Sequence, residues 1–357
     1  MKSLSICFSS LLFLLVGCKR DPTAPADSSP LPAVVNGVYV LNEGDFSDAA
    51  GARLSLYDID RDIVLRDVFE SANGGRHLGN LGDDVKLYDG KAYLVMSGSE
   101  NIDVISLANH VLLQSATYPG VSPHDLLIDS LREKAYVTQL FSTSILVLDL
   151  PTLGSMGTVQ VGPNPQGMVL SGDQLFVCNS GFGSNRTISV IDATLDTVKK
   201  TLIVGDGPTG VVVAEDGKIW VVCSGDAFGS PATFGSVYII DPSAMTVEDS
   251  LVFTENLWGA ISIGSSGFAY ILGVTSGSFY GGPIHRIEMA TRTVTMNFIP
   301  GTFYAMTINE VSGDLYLADA KIFASDGEVH IFTKDGILKK TFTVQKGPGA
   351  MVFYTQP

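Results

Sequence analysis

Residues 161–172 read VGPNPQGMVLSG, and residues 204–215 read VGDGPTGVVVAE. Val161, Gly162, Pro165 and Gly167 return at a fixed offset as Val204, Gly205, Pro208 and Gly210. Self-similarity at such an interval marks a chain built from repeated supersecondary units. Working outward, each turn of this kind leads into a short apolar strand, a second turn, and a strand carrying an aromatic residue. The aromatic-marked strands are GVYVLNE, KAYLVMS, KAYVTQL, QLFVCNS, KIWVVCS, FAYILGV and DLYLADA, with Tyr39, Tyr93, Tyr136, Phe176, Trp220, Tyr270 and Tyr316 as markers. Their spacings of 54, 43, 40, 44, 50 and 46 residues define seven units. An alternating third strand follows each marker, from LSLYDI to VHIFTK, as half-buried strands require.

The strand before each marker is also countable: DVKLY, DLLID, GMVLS, GVVVA, GAISI, AMTIN and, at the C-terminus, AMVFY. This series is displaced by one unit. The domain opens on a second strand (GVYVLNE) and ends on a first strand (PGAMVFY), so the last strand must complete the first unit. Closure of that type leaves no open sheet edge. Seven four-stranded units of ~40–50 residues predict an all-β fold, a seven-bladed β-propeller over residues 36–357. The composition agrees, with 38 Gly, 45% hydrophobic residues and no long amphipathic helical pattern.

The net charge is −15, and the basic runs are as short as Lys199-Lys200 and Lys339-Lys340. That balance excludes nucleic-acid backbone binding, which needs clustered Lys and Arg.

The first 18 residues read MKSLSICFSSLLFLLVGC. Lys2 precedes an apolar run that is too short to span a bilayer and reads as a secretory signal. The ending, Leu15-Val16-Gly17-Cys18, resembles a bacterial lipobox, which implies cleavage after residue 17 and lipid on Cys18. Residues 19–33, KRDPTAPADSSPLPA, have the composition of an extended tether. The expected layout is signal peptide 1–17, lipidated Cys and tether 18–35, and propeller 36–357. The expected location is the outer membrane, with the propeller on its extracellular or periplasmic face. Cys178 and Cys223 lie one position out of register in equivalent strands, hence on opposite sheet faces, and are expected as buried thiols, with a disulfide as the alternative in an oxidising compartment.

The repeats GPTGVVVAEDGKIWVVCSG and TISVIDATLDTVKKTLIVGDGPTG resemble the YVTN/YncE-like propeller repeat. The opening VYVLNEGDF, with LSLYDI after it, is similar to surface lipoprotein propellers of Bacteroidota. Some members of that broader group capture vitamin B12 and related corrinoids. The resemblance therefore implies a corrinoid or another large amphipathic ligand, held for a TonB-dependent transporter.

In a propeller the second-to-third loops share one face with the connections that lead into the inner strands, and loops on a rigid scaffold carry binding. These loops carry Phe46, Phe141, Phe182, Phe228, Phe234, Phe279, Tyr280 and Phe323. Either each aromatic packs between blades, or together they form an apolar rim for a flat ligand. Aligning the starts of the inner strands gives a second ring: Asp83, His124, Gln166, Thr209, Trp258, Tyr304 and Gly349. The next position holds Asp84, Asp125, Gly167, Gly210, Gly259, Ala305 and Ala350. Here the repeated Gly or Ala is expected to keep the crowded centre clear. Periodicity leaves open whether these side chains face the central channel or the blade interior.

Asp84 and Asp125 are candidate Ca²⁺ ligands. His124 is a candidate metal or hydrogen-bond partner. The plainer reading of the aspartates is that they accept backbone N–H bonds. Asp58-Ile-Asp60-Arg-Asp62 superficially matches a calcium loop, but Asp149, Asp192 and Asp241 recur at the place of Asp58 and point to a hairpin turn. His77, His110, His285 and His330 stand in no recognisable catalytic motif. The leading expectation is a non-catalytic binding lipoprotein without a required cofactor. The alternatives are a propeller lactonase or lyase with a divalent metal, and a protein-interaction scaffold.

Overall fold

The computed structural model describes residues 36–355, apart from 46, 49, 50, 265 and 276–279. The signal segment, Cys18, the tether, Phe46 and Phe279 thus lie outside the described residues. The described residues form one compact unit.

Seven four-stranded antiparallel sheets make up this unit, each ordered inner, second, third, outer. The inner strands of blades 2 to 7 are Gly82–Tyr88, Ser122–Asp129, Pro165–Ser171, Pro208–Val213, Leu257–Ile263 and Ala305–Ile308. The inner strand of blade 1 is the C-terminal Pro348–Thr355, paired antiparallel to Asn36–Asn42 from Asn36↔Thr355 to Leu41↔Ala350. The displaced count of strands therefore has the meaning expected of it. Apart from two single-turn 3₁₀ segments, the only helix among the described residues is Val68–Ala72, between blades 1 and 2.

The core lies between blades, and the aromatic markers build it. All seven are buried, none more than 4% exposed. Each sits against the following blade. Phe176 of blade 4 packs with Ile219 and Val221 of blade 5. Trp220 of blade 5 packs with Ala269 and Ile271 of blade 6. Tyr316 of blade 7 packs with Val38, Val40 and Phe353 of blade 1. Buried Tyr hydroxyls need partners, and they find them at the neighbour's hairpin turn. Tyr39 Oη lies 2.7 Å from His110 Nε2, and Tyr136 Oη donates to Asp196 Oδ1 at 2.7 Å and to the Ala193 carbonyl at 3.0 Å. Tyr270 Oη donates to the Lys334 carbonyl at 3.2 Å. His110 is thus a structural partner, pushed down to about 4 by burial and neutral at physiological pH.

Cys178 and Cys223 are free buried thiols. They share one apolar cluster between blades 4 and 5. Opposite faces of two adjacent blades look at each other, so the one-residue slip in their register brings the two cysteines to the same interface. The Asp58 series terminates hairpins: Asp58 Oδ1 accepts the Arg61 N–H at 3.0 Å, Asp149 Oδ1 the Thr152 N–H at 2.9 Å, and Asp241 Oδ1 the Ala244 N–H at 2.9 Å.

Candidate functional site

The inner strands position the site through a shared irregularity. Inner-to-second pairing slips between Gly82 and Asp84, Pro123 and Leu126, Pro165 and Met168, Pro208 and Gly210, and Leu257 and Ile261. A bulge breaks strict alternation and re-aims side chains. Both ring positions accordingly face the central channel, a cavity of about 640 Å³. Asp83, His124, Gln166, Thr209, Trp258, Tyr304 and Gly349 all line it, as do Asp84 and Asp125. Farther along the strands its wall is apolar, with Met168, Val211, Ile261, Met306 and Met351.

The glycines have a sharper reason than keeping the mouth clear. A Cβ on Gly210 would stand 1.9 Å from the Gly259 carbonyl oxygen, and one on Gly167 would stand 2.6 Å from that of Thr209. The inner strands of adjacent blades pass too closely there for any side chain. In blades 2 and 3 the aspartates at this position bridge the blades instead. Asp84 Oδ2 accepts the Leu126 N–H, and Asp125 Oδ2 accepts the Met168 N–H, each at 2.9 Å.

The charged groups of the channel lie on blades 1 to 3. Lys86 Nζ lies 3.0 Å from Asp84 Oδ2 and 3.2 Å from Asp125 Oδ1. The cation between the two candidate calcium ligands is therefore an ammonium of the chain itself. Burial and the Asp125 charge raise Asp84 although Lys86 opposes them; burial also works against Asp125, but Lys86 and His124 hold it below its ordinary value. His124 Nδ1 lies 3.1 Å from Asp83 Oδ1. Burial disfavours the imidazolium, yet the bond and charge of Asp83, with Asp125 and Asp84 close by, raise His124 to about 9. Asp83 Oδ2 also accepts the Ser97 N–H at 3.2 Å. Glu43, from the second-to-third loop of blade 1, shares a hydrogen bond with Tyr304; burial and the Asp83 charge push it up to about 8, so it is mostly protonated at neutral pH.

The aromatic groups gather on the opposite side. Trp258 and Tyr304 rings lie 5.6 Å apart, and Phe323 meets Tyr304 edge-on at 5.2 Å. Tyr280 stands 6.1 Å from Phe323. Beside the channel mouth is a second cavity of about 860 Å³, lined by Phe182, Phe228, Phe234, Trp258, Leu257 and Val274 among others. It shares Gln166, Thr209 and Trp258 with the channel, so the two adjoin. Phe141 lies outside this lining and touches it through Phe182, at 5.5 Å between rings.

Packing between blades does not account for these loop aromatics. Phe141, Phe182, Phe228 and Phe234 are 77%, 57%, 84% and 58% exposed. Phe323 alone among the described loop phenylalanines is partly buried. Three of them, Phe141, Phe182 and Phe323, hold left-handed backbone, with φ of 61°, 52° and 60°. An L-residue there costs roughly 1–2 kcal/mol, a cost that clusters at functional sites. The loop that carries Phe228 and Phe234 is pinned from within. Thr233 N–H donates to the Asp226 carbonyl at 2.9 Å, and Asn256 Nδ2 donates to the Ser224 and Thr233 carbonyls at 3.1 Å.

The sequence profile of a domain of unknown function, DUF5074, matches residues 36–344, every blade except the closing strand. The chain belongs to the DUF5074 family. A 139-residue stretch of this DUF5074 protein is 27% identical to Antigen Lp49 of Leptospira interrogans serogroup Icterohaemorrhagiae serovar copenhageni (strain Fiocruz L1-130). That match covers 35% of the chain and 30% of the antigen, so the chain spans under a third of its curated relative. Among solved structures, a putative 6-phosphogluconolactonase from Bacteroides fragilis NCTC 9343 is similar with a TM-score of 0.68 at 13% identity, covering 91% of this chain and 100% of that one. A quinonprotein alcohol dehydrogenase-like protein from Bacteroides thetaiotaomicron VPI-5482 follows, with a TM-score of 0.67 at 15% identity, over 89% and 78%. Hydrazine synthase of Kuenenia stuttgartiensis has a TM-score of 0.65 at 17% identity, over 75% and 88%. At these identities the likeness is one of fold, and chemistry must be argued from the DUF5074 chain's own residues.

Sequence reasoning placed the ring and most of the rim. It missed Lys86, Glu43 and the pairing of Glu255, which lines the apolar cavity, with His285. Lys86 stands two residues beyond Asp84, a spacing that alternation alone would have put on the same face. Glu43 was visible only as part of a variable loop. His285 lies in the third strand of blade 6 and Glu255 in the connection from blade 5 to blade 6, with no sequence signal to pair them.

Proposed function

We propose that this DUF5074 chain is a non-catalytic, extracytoplasmic binding protein, held at the outer membrane by lipid on Cys18. It takes a large amphipathic ligand across the channel mouth and delivers it to a TonB-dependent transporter. The observation that carries this reading is the division of the site. Acid and ammonium groups stand on blades 1 to 3, and a cleft of exposed aromatics stands on blades 4 to 6. Pockets that hold sizeable ligands pair an apolar wall with a few placed polar groups. Four exposed phenylalanines, two of them on one pinned loop, are costly for a protein with no use for them. A corrinoid is the ligand of this class to which the resemblance of the opening repeats points.

Calorimetric titration of residues 34–357 with cobalamin and cobinamide tests the reading. The expected result is one-to-one binding that weakens about tenfold in Trp258→Ala, the loss of one well-packed aromatic contact. No heat from either corrinoid at micromolar protein would exclude that ligand class. Lipidation is checked separately by mass spectrometry of the native protein, which should begin at an acylated Cys18.

A further inference from the structure

The aromatic cleft contains a single charge. Among the described residues that line it, Glu255 is the only ionisable one; the remainder are aromatic, aliphatic, amide, hydroxyl or glycine. Its surroundings preserve that charge. Glu255 Oε1 lies 2.7 Å from Nε2 of His285, which is 1% exposed. His285 Nδ1 accepts the Asn297 N–H at 3.0 Å. Its one proton therefore sits on Nε2, the nitrogen that faces Glu255. With Nδ1 accepting the Asn297 N–H the ring is neutral, and burial holds it below its ordinary value, so it stands against the carboxylate without cancelling its charge. Asp84 and Asp125 by contrast face Lys86, Asp83 faces His124, and Asp206 faces Arg186. Among the described ion pairs, Glu255 has only this neutral histidine.

We propose that the cleft takes a ligand bearing a positive charge on a flat aromatic or macrocyclic body, with Glu255 as the counter-charge and His285 as the residue that positions it. This rests on the binding-protein reading and adds the sign of the ligand's charge. Phe182, Phe228, Phe234 and Trp258 line the same cleft as the carboxylate. A cation over aromatic faces in a partly desolvated site is attracted by the rings themselves, and a buried-edge carboxylate adds to that attraction. The chain's net charge of −15 favours the same class of ligand at long range.

The test uses two dyes with one ring skeleton, neutral Nile red and cationic Nile blue, titrated by fluorescence into residues 34–357 at neutral pH. Nile blue should bind about tenfold tighter than Nile red, the equivalent of one charge-assisted contact. Glu255→Gln keeps an acceptor beside His285 and should erase that preference by weakening Nile blue about tenfold, while a thermal melt matching wild type reports that the variant is folded. Trp258→Ala should weaken both dyes. Equal affinities, or a preference that survives Glu255→Gln and so reflects overall charge, overturn the proposal but leave the binding cleft intact. If neither dye binds the wild-type protein, the cleft reading falls and this inference with it.

Discussion

Replacing Lys86 with methionine removes a charge from the channel and keeps the aliphatic stem. The native ammonium lies 3.0 Å from Asp84 and 3.2 Å from Asp125. At an effective dielectric of ~20 each contact amounts to about 5 kcal/mol of gross attraction. Lysine desolvation and solvent screening at a side chain 39% exposed offset most of it. The two carboxylates left behind still accept N–H bonds from Leu126 and Met168. A net loss of about 2 kcal/mol follows, which for a ring of this size lowers the melting temperature by about 3 °C. The loss depends on pH, with a definite sign. In wild type the two shifts oppose, Asp84 raised and Asp125 lowered. Without Lys86 both carboxyls are raised, so the folded state holds protons that the unfolded chain has released. The variant's stability is retained below the unfolded aspartate value of about 4 and lost as pH rises through the raised native values. The gap to wild type is therefore narrow in acid and widest above neutrality. Millimolar Ca²⁺ should close part of it, because the vacated position is bordered by oxygen ligands. Thermal melts of both proteins across that range, with and without Ca²⁺, check the argument. Equal melts above neutrality, or a gap that does not vary with pH, would refute it.

Two further outcomes follow from the backbone. Gly210→Ala places a Cβ 1.9 Å from the Gly259 carbonyl, so two inner strands must part, at a cost of about 3 kcal/mol in equilibrium denaturation. Phe182→Gly releases a left-handed phenylalanine at φ 52° that is 57% exposed. Relief of about 1 kcal/mol is partly cancelled by the freedom glycine gains in the unfolded chain, so denaturation should show stability equal to wild type or slightly above it. Dye affinity should nonetheless fall several-fold; a clear loss of stability would mean the ring is a packing residue after all.

The ring of blades was legible because its signal is local and repeated. A buried aromatic in every second strand and a Gly, Ala or Asp in every inner strand each answer one geometric demand, inter-blade packing and close strand approach. The orientation of Asp83, His124 and their equivalents was not legible. It depends on bulges at Gly82–Asp84 and Pro165–Met168 that suspend the period-2 rule from which facing is read. The calcium reading of Asp84 and Asp125 met Lys86, whose contribution depends on a side chain reaching across two blades. Glu255 and His285 were invisible for a related reason. Their pairing is fixed by a left-handed Asn297 in the outer strand of blade 6, where φ is 51° and the N–H turns toward the imidazole.

The pairing of Asn36–Asn42 with Pro348–Thr355 also sets an order of events during folding. Six blades are assembled from strands contiguous in the chain, and each can form as soon as its residues emerge. Blade 1 cannot. Its inner edge waits, with Val38, Tyr39 and Val40 uncovered on that side, until the last strand arrives from the far end of the domain. Contacts of such sequence separation form late and slowly, and an unpaired strand is a template for association with another chain. A chain that stops short of Pro348 is therefore an open horseshoe with an adhesive edge, and only a chain that reaches this strand can latch. The final eight-residue strand thereby works as a test of completeness, separating finished molecules from fragments by their solubility.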